Sequence, residues 1–195
     1  MYSILKRVIF FVLLIGLWEL LFRLGIWPEY ILPSPLSVCK TLVRGFQDQS
    51  LLIGVAISMK RIAIGYGISI GIGIFTGLLI GRFRIFEETL GSLISGLQTL
   101  PTICWLPLSL LWFGLNDRAI IFLVFMGAVL SIATGTDSGV KNVPPLYIRA
   151  AKTMGAKKWK LYLEVIIPAA LPHIIIGMKQ GWSFAWRSLM AGELL

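Results

Sequence analysis

Long apolar runs separated by short basic stretches set the pattern of this chain. A membrane-crossing helix needs about 20 mainly apolar residues in succession. Runs near 8–27, 61–81, 90–112, 119–136 and 169–191 approach or meet that length, so the pattern predicts an all-α integral membrane protein with about five transmembrane helices. Between the first two runs lies a polar stretch, Pro28 to Ser50, which carries Pro33-Ser34-Pro35 and then a mixed-charge region that reads as a surface helix. Two parts follow: residues 1–50, an N-terminal transmembrane helix with an extracytoplasmic segment, and residues 51–195, the core.

The first run begins like a secretory signal, with Lys6 and Arg7 ahead of Val8 to Ile15. It continues through Trp18-Glu19-Leu20-Leu21-Phe22-Arg23 without a small-x-small cleavage site, which predicts an uncleaved helix. Glu19 and Arg23 stand four apart with the acid first, the order in which they neutralise each other on a helix.

Glycines recur at four-residue spacing in the second run, 67 to 71 and 73 to 77 to 81, a pattern that lets helices approach closely in lipid. A nucleotide-binding glycine motif would instead follow a strand. The third run carries Pro101 and Pro107, each of which removes a backbone donor and kinks a helix. Broken helix at membrane depth is tolerated where it is buried in protein or lines a water-filled cavity. Gln98 to Pro107, with Gln98 and Pro101 as its leading residues, is therefore either a pathway lining or a kink used for packing.

Charge gives the orientation. The net charge of +9, on a chain 57% apolar with a mean hydropathy of +0.86, lies in short runs between the apolar segments and not in a nucleic-acid-binding face. Lys6 and Arg7, Arg82 and Arg84, and Lys141 through Lys160 all fall on one side if the spans alternate. Basic residues collect in cytoplasmic loops, so that side is the cytoplasm and the N-terminus is cytoplasmic. Lys60 and Arg61 fall on the outer side and run against this scheme.

Candidate chemistry is sparse. Cys39 and Cys104 have no metal-like spacing, His173 is the sole histidine, and no catalytic constellation or cofactor motif appears. A G-x-x-x-x-G-K-[ST] phosphate loop is absent from the sequence. Lys179 stands near the middle of the fifth run, with Arg187 and Glu193 toward its outer end. A lysine at that depth faces protein or water, either as part of a pathway or paired with an acid such as Glu193.

After the fourth run come Pro144-Pro145, then Leu146 to Met154, Gly155, and a basic stretch through Lys160. Adjacent prolines suit a helix start and Gly155 a left-handed helix stop. The expectation is a short helix, a glycine turn and a second short helix ending before Pro168. Small residues Ala150 and Ala151 permit close docking, while Lys152, Lys157, Lys158 and Lys160 offer a basic face. This stretch is either a docking surface or a topology signal touching anionic lipid.

Ala150-Ala151, three residues, Gly155, nine residues, then Val165-Ile166-Ile167-Pro168 resembles the "EAA" loop of binding-protein-dependent ABC importer permeases. The family's glutamate falls on Arg149, a departure from the pattern. Leu32-Pro33-Ser34-Pro35, Ser58-x-x-Arg61 with Gly65, Leu106-Pro107 before Leu111-Trp112-Phe113-Gly114, and Pro168-Ala169-Ala170-Leu171-Pro172 look like the nitrate, sulfonate and taurine branch.

The resemblance implies a type I (MetI-like) helical bundle in a bacterial plasma (inner) membrane, crossing the lipid bilayer several times. It implies a permease core at 51–195 that ends early, since the family has a further spanning helix. As a transport component and not an enzyme, it would use ATP hydrolysed by separate cytoplasmic ATPase subunits. Arg149, Ala150, Ala151, Lys152, Gly155, Ala156 and Pro168 would form the docking loop within 141–168. A second permease copy, as a homodimer, and an extracytoplasmic solute-binding protein would complete the assembly, with no nucleic acid involved. Lys179 bordering the pathway would favour an anionic solute, in keeping with the branch's sulfonates and nitrate. A self-sufficient secondary transporter is the competing class, but internal repeats and mid-membrane coupling acids are not evident.

Overall fold

The computed structural model describes residues 2–194, apart from the side chains of Tyr2, Ser3 and Lys158. Every regular element among these residues is helical. Two compact units divide the chain, Met1–Ile57 and Ser58–Leu195.

In the first unit, α1 (Tyr2–Arg23) carries the predicted pair, with Arg23 Nε donating to Glu19 Oε1 at 2.8 Å. Trp18 Nε1 donates to the Pro33 carbonyl at 3.0 Å, tying the helix to the segment that follows. Pro33-Ser34-Pro35 reads as a helix start: the Ser34 hydroxyl accepts the Ser37 N–H at 3.1 Å, and Pro35 fills a first-turn position that needs no donor. This begins α2 (Pro35–Gln47), the predicted surface helix. Asp48 ends α2 and receives the hydroxyl of Ser50 at 2.7 Å and its N–H at 3.0 Å. The Ser50 hydroxyl, then its N–H, hold the Asp48 carboxyl below its ordinary value. Gln49 turns through a left-handed conformation, φ 60°, into α3 (Ser50–Arg82).

Three helices are individually long and apolar enough to cross a membrane: α3, α6 (Asp117–Lys141) and α8 (Trp159–Glu193). A fourth span is available if α4 (Arg84–Gln98) and α5 (Thr102–Phe113) are counted together, bent by 103°. The predicted single helix over 90–112 is thus a broken one, and Pro101 stands at the break. Pro107 makes no second kink, because it lies in the first turn of the α-helical part of α5, where its missing N–H has no partner to lose. Among the described residues, the first helix, expected as a further span, is not one of these by length and composition. Lys6 and Arg7 at one end and Glu19 and Arg23 at the other flank its uncharged run, Val8–Trp18.

Small residues decide how the second unit packs. On α3, Gly65, Gly73, Gly77 and Gly81 face α6, where a methyl group at Gly77 would lie 2.5 Å from the Ala133 carbonyl oxygen. Ser69 completes this four-residue register, its hydroxyl donating to Gly65 O at 2.8 Å and Phe125 O at 3.1 Å. Gly67 and Gly71, expected to serve packing, have open space around them. A second seam joins α6 to α8: a methyl group at Gly135 would fall 2.6 Å from the Gly177 Cα, and one at Gly139 would lie 2.9 Å from the Ala170 carbonyl oxygen. Backbones this close exchange dispersion contacts that lipid tails cannot match.

Two apolar clusters fill the space between. Ile62, Val124, Ala128, Ile132, Ala185 and Leu189 form one. Val140, Val143, Ala151, Leu161, Ile166 and Ala170 belong to the other, which reaches under the loop after α6. Two buried hydroxyls are satisfied on their own helices, Thr136 donating to Ile132 O at 2.8 Å and Ser109 to Leu106 O at 2.8 Å, whereas the buried Ser188 hydroxyl has no partner among the described residues.

Each end of the unit carries an ion cluster. At one, Arg61 Nη2 lies 2.6 Å from Asp117 Oδ1 and Nη1 lies 3.0 Å from Glu193 Oε1, joining α3, α6 and α8. At the other, Lys141 Nζ is 2.9 Å from both Glu87 and Asp137 carboxylates, joining α6 to α4.

Candidate functional site

The loop between α6 and α8 carries the helix α7 (Pro145–Thr153), which opens on Pro144-Pro145 as the sequence predicts. Its end is a complete glycine stop. The Ala156 N–H donates to Ala151 O at 2.9 Å and the Gly155 N–H to Lys152 O at 3.0 Å, with Gly155 at φ 87°. This paired pattern requires a left-handed residue, which glycine adopts without a Cβ penalty.

The two alanines part company. Ala151 is 8% exposed and packs into the apolar cluster beneath the loop, with Ile148 and Ala156 beside it. Ala150 is exposed, as are Arg149 and Lys152. Leu146, Arg149, Ala150 and Thr153 recur at helical spacing and share the outward face of α7. Sequence reasoning missed two members of this surface, Leu146 at 71% exposure and Met154 at 88%. Their signal was an apolar residue three before Arg149 and another just ahead of Gly155.

Pro168 is not the end of a short helix. Instead α8 runs without interruption from Trp159 to Glu193. A π-helical turn at Tyr162–Ile166 precedes the proline, and the Ile167 N–H bonds back to Tyr162 O. The wider turn shifts the hydrogen-bond register where Pro168 lacks a donor, so the chain stays helical through it. Arg82 at the end of α3 lies 4.5 Å over the Tyr162 ring, fixing this turn against the neighbouring helix. The lysines of the loop, Lys152, Lys157 and Lys160, are exposed, and the Lys158 side chain lies outside the described residues.

The pathway candidates separate into two places. Gln98 and Pro101 line a cavity of about 310 Å³ at the α4–α5 bend, together with Thr102, Trp105, Ser131 and Arg187. On α6 the lining residues Met126 to Ser131 stand 9 to 14 positions past Asp117, or about 14–21 Å along a helix about 37 Å long. The cavity therefore lies in the middle third of the span. Lys179 is elsewhere, in a more open recess beside Tyr66 and Trp182. The Tyr66 hydroxyl donates to Met178 O at 2.8 Å and its ring meets Trp182 edge to face. Glu193, considered as a partner for Lys179, is engaged by Arg61 and by the Ser58 hydroxyl at 2.6 Å. His173 is exposed on α8, its Cβ against Gly139. Among the described residues, no group of His, Cys, Asp or Glu could hold a metal ion.

Residues 69–195 match the family model described as binding-protein-dependent transport system inner membrane component. A putative ABC transporter permease protein of Methanocaldococcus jannaschii is 38% identical over 187 residues, covering 94% of this chain and 70% of that one. The nitrate import permease protein NrtB of Leptolyngbya laminosa is 33% identical, covering 99% of this chain and 71% of its own. The taurine transport system permease protein TauC of Escherichia coli is 30% identical, over 93% and 68% respectively. A crystal structure of an amino acid ABC transporter with histidines shares the fold, with a TM-score of 0.52 over 75% of each chain at 18% identity. This chain, with its all-helical MetI-type fold, belongs to the binding-protein-dependent inner membrane components and is an ABC transporter permease.

Proposed function

We propose that this chain is the membrane-spanning permease subunit of an ATP-driven importer for a small anionic solute, coupled through loop 141–168 to a separate cytoplasmic ATPase. The observation that carries this reading is the outward face of α7. Leu146, Arg149, Ala150 and Met154 stand exposed on a short helix whose far side is anchored by Ala151 and Ile148 in the core. A short helix fixed at both ends transmits a push; a free one would fray. Exposed apolar side chains ringed by basic ones suit a protein groove more than water.

ATP would be hydrolysed on the partner, and a solute-binding protein would deliver cargo to the opposite face. A second copy, as a homodimer, would close the pathway lined by Gln98 and Pro101. The membrane is the bacterial inner membrane, with the Lys141 end of the bundle and the N-terminus in the cytoplasm. Relatives that carry nitrate and taurine in their names support a cargo with an oxoanion group, nitrate itself or a sulfonate. Co-purification tests the docking surface: the full chain extracted in mild detergent should retain its ATPase, and Leu146→Asp with Met154→Asp should release it. Retention by the double variant would place the ATPase contact elsewhere.

A further inference from the structure

Arg187 is the one charged residue among those lining the cavity at the α4–α5 bend. It stands six positions before Glu193 on α8, about 9 Å below the Arg61 end of the helix. A charge at that depth is costly in lipid and is kept where it faces protein or a water-filled space. The acid nearest to it in sequence, Glu193, does not serve it, being held by Arg61. Among the described residues Arg187 forms no ion pair. Its guanidinium lies 5.6 Å from the Phe184 ring, which covers part of the group with an apolar surface. Gln98, Thr99, Thr102, Ser131 and the Trp105 indole supply the other polar groups of the cavity wall.

We infer that Arg187 is the specificity-determining residue of the transport pathway, binding a small oxoanion in the cavity that it shares with Gln98. The inference rests on the importer reading above and deepens it. A guanidinium presents five donors in a planar fork, matched to two oxygens of a nitrate, carboxylate or sulfonate group. About 310 Å³ is at the small end of ligand cavities, which run from about 300 to 1,000 Å³. Lys179 fits the role less well. It lies eight positions earlier on α8, about 12 Å along and about 80° around the helix, in a recess that Gln98 and Pro101 do not share.

The test is uptake of labelled nitrate and of labelled taurine into proteoliposomes holding the full chain with its ATPase and its binding protein. Arg187→Gln should lower uptake of both by about ten-fold or more, the loss expected of one charge-assisted contact, while the complex still assembles with its ATPase. Arg187→Lys keeps the charge but not the fork, and should change the nitrate-to-taurine ratio by about three-fold or more. Arg84→Gln, 88% exposed in its side chain and paired with Glu88 alone, serves as the surface control and should leave uptake unchanged. Wild-type uptake by Arg187→Gln, or an unaltered ratio in Arg187→Lys, overturns the assignment. So does loss of uptake in Lys179→Met with Arg187→Gln at the wild-type rate, which moves the anion to the other recess. If Arg187→Gln fails to assemble, the ratio measured with Arg187→Lys decides alone. A wild-type complex in which the binding protein does not stimulate ATP hydrolysis would instead defeat the importer reading itself.

Discussion

Arg61 Nη1 donates to Glu193 Oε1 at 3.0 Å, closing the start of the core against the end of α8, 132 positions away in sequence. The same guanidinium reaches Asp117 Oδ1 at 2.6 Å, so one residue anchors three helices at this rim. Side-chain exposures of 21% for Arg61 and 24% for Glu193 place the pair between a surface and a buried bridge. Replacing Arg61 by Ala should cost about 1–3 kcal/mol, between the values for exposed and buried pairs, because it strands two carboxylates. Thermal unfolding in detergent measures the loss. Exchanging the charges, Arg61→Glu with Glu193→Arg, should be less damaging than the sum of the two single changes; simple additivity would show that the pair contributes nothing.

The α6–α8 seam makes a sharper demand. A methyl group at Gly177 would lie 2.9 Å from the Gly135 Cα, backbone that cannot rotate away. Gly177→Val should therefore spread the two helices and sharply reduce the yield of folded protein, at a cost of at least about 2 kcal/mol. Gly67→Ala and Gly71→Ala, which meet open space, should be neutral or stabilising by up to about 1 kcal/mol through helix propensity. Size-exclusion profiles after mild heating separate the two classes.

Gly155 allows a prediction confined to the loop. Val at φ 87° is strained by about 1–2 kcal/mol, enough to undo the stop that holds α7 to its apolar bed. Gly155→Val should leave the thermal unfolding of the membrane core nearly unchanged while weakening retention of the ATPase. Gly155→Asn, better suited to the left-handed region, should retain more of it. Equal retention by both variants would mean that α7 is held by something other than its glycine stop.

Much of this fold was legible because membrane-length apolar runs and prolines act locally. Pro144-Pro145 and Gly155 fix the ends of α7 by backbone chemistry alone, and Pro101 breaks the third run whatever surrounds it. Properties that depend on a neighbour were not legible. Gly67 and Gly71 satisfied the spacing rule as well as Gly73 and Gly77 did, and only the position of α6 decides which set is used. Arg61 ran against the charge rule until Asp117 and Glu193 neutralised it across the bundle. Pro168 looked like a helix end because the π-helical turn that accommodates it has no strong local signature. Lys179 was the pathway charge the sequence suggested, yet the broken α4–α5 pair folds against Arg187 instead, a choice that depends on the position of a neighbouring element.

Binding-protein-stimulated ATP hydrolysis by the reconstituted full chain and its ATPase tests the central claim most directly. Stimulation is expected in the wild type and is expected to be lost in Leu146→Asp with Met154→Asp, although the membrane core remains folded. Undiminished stimulation in that double variant would contradict the role assigned to α7.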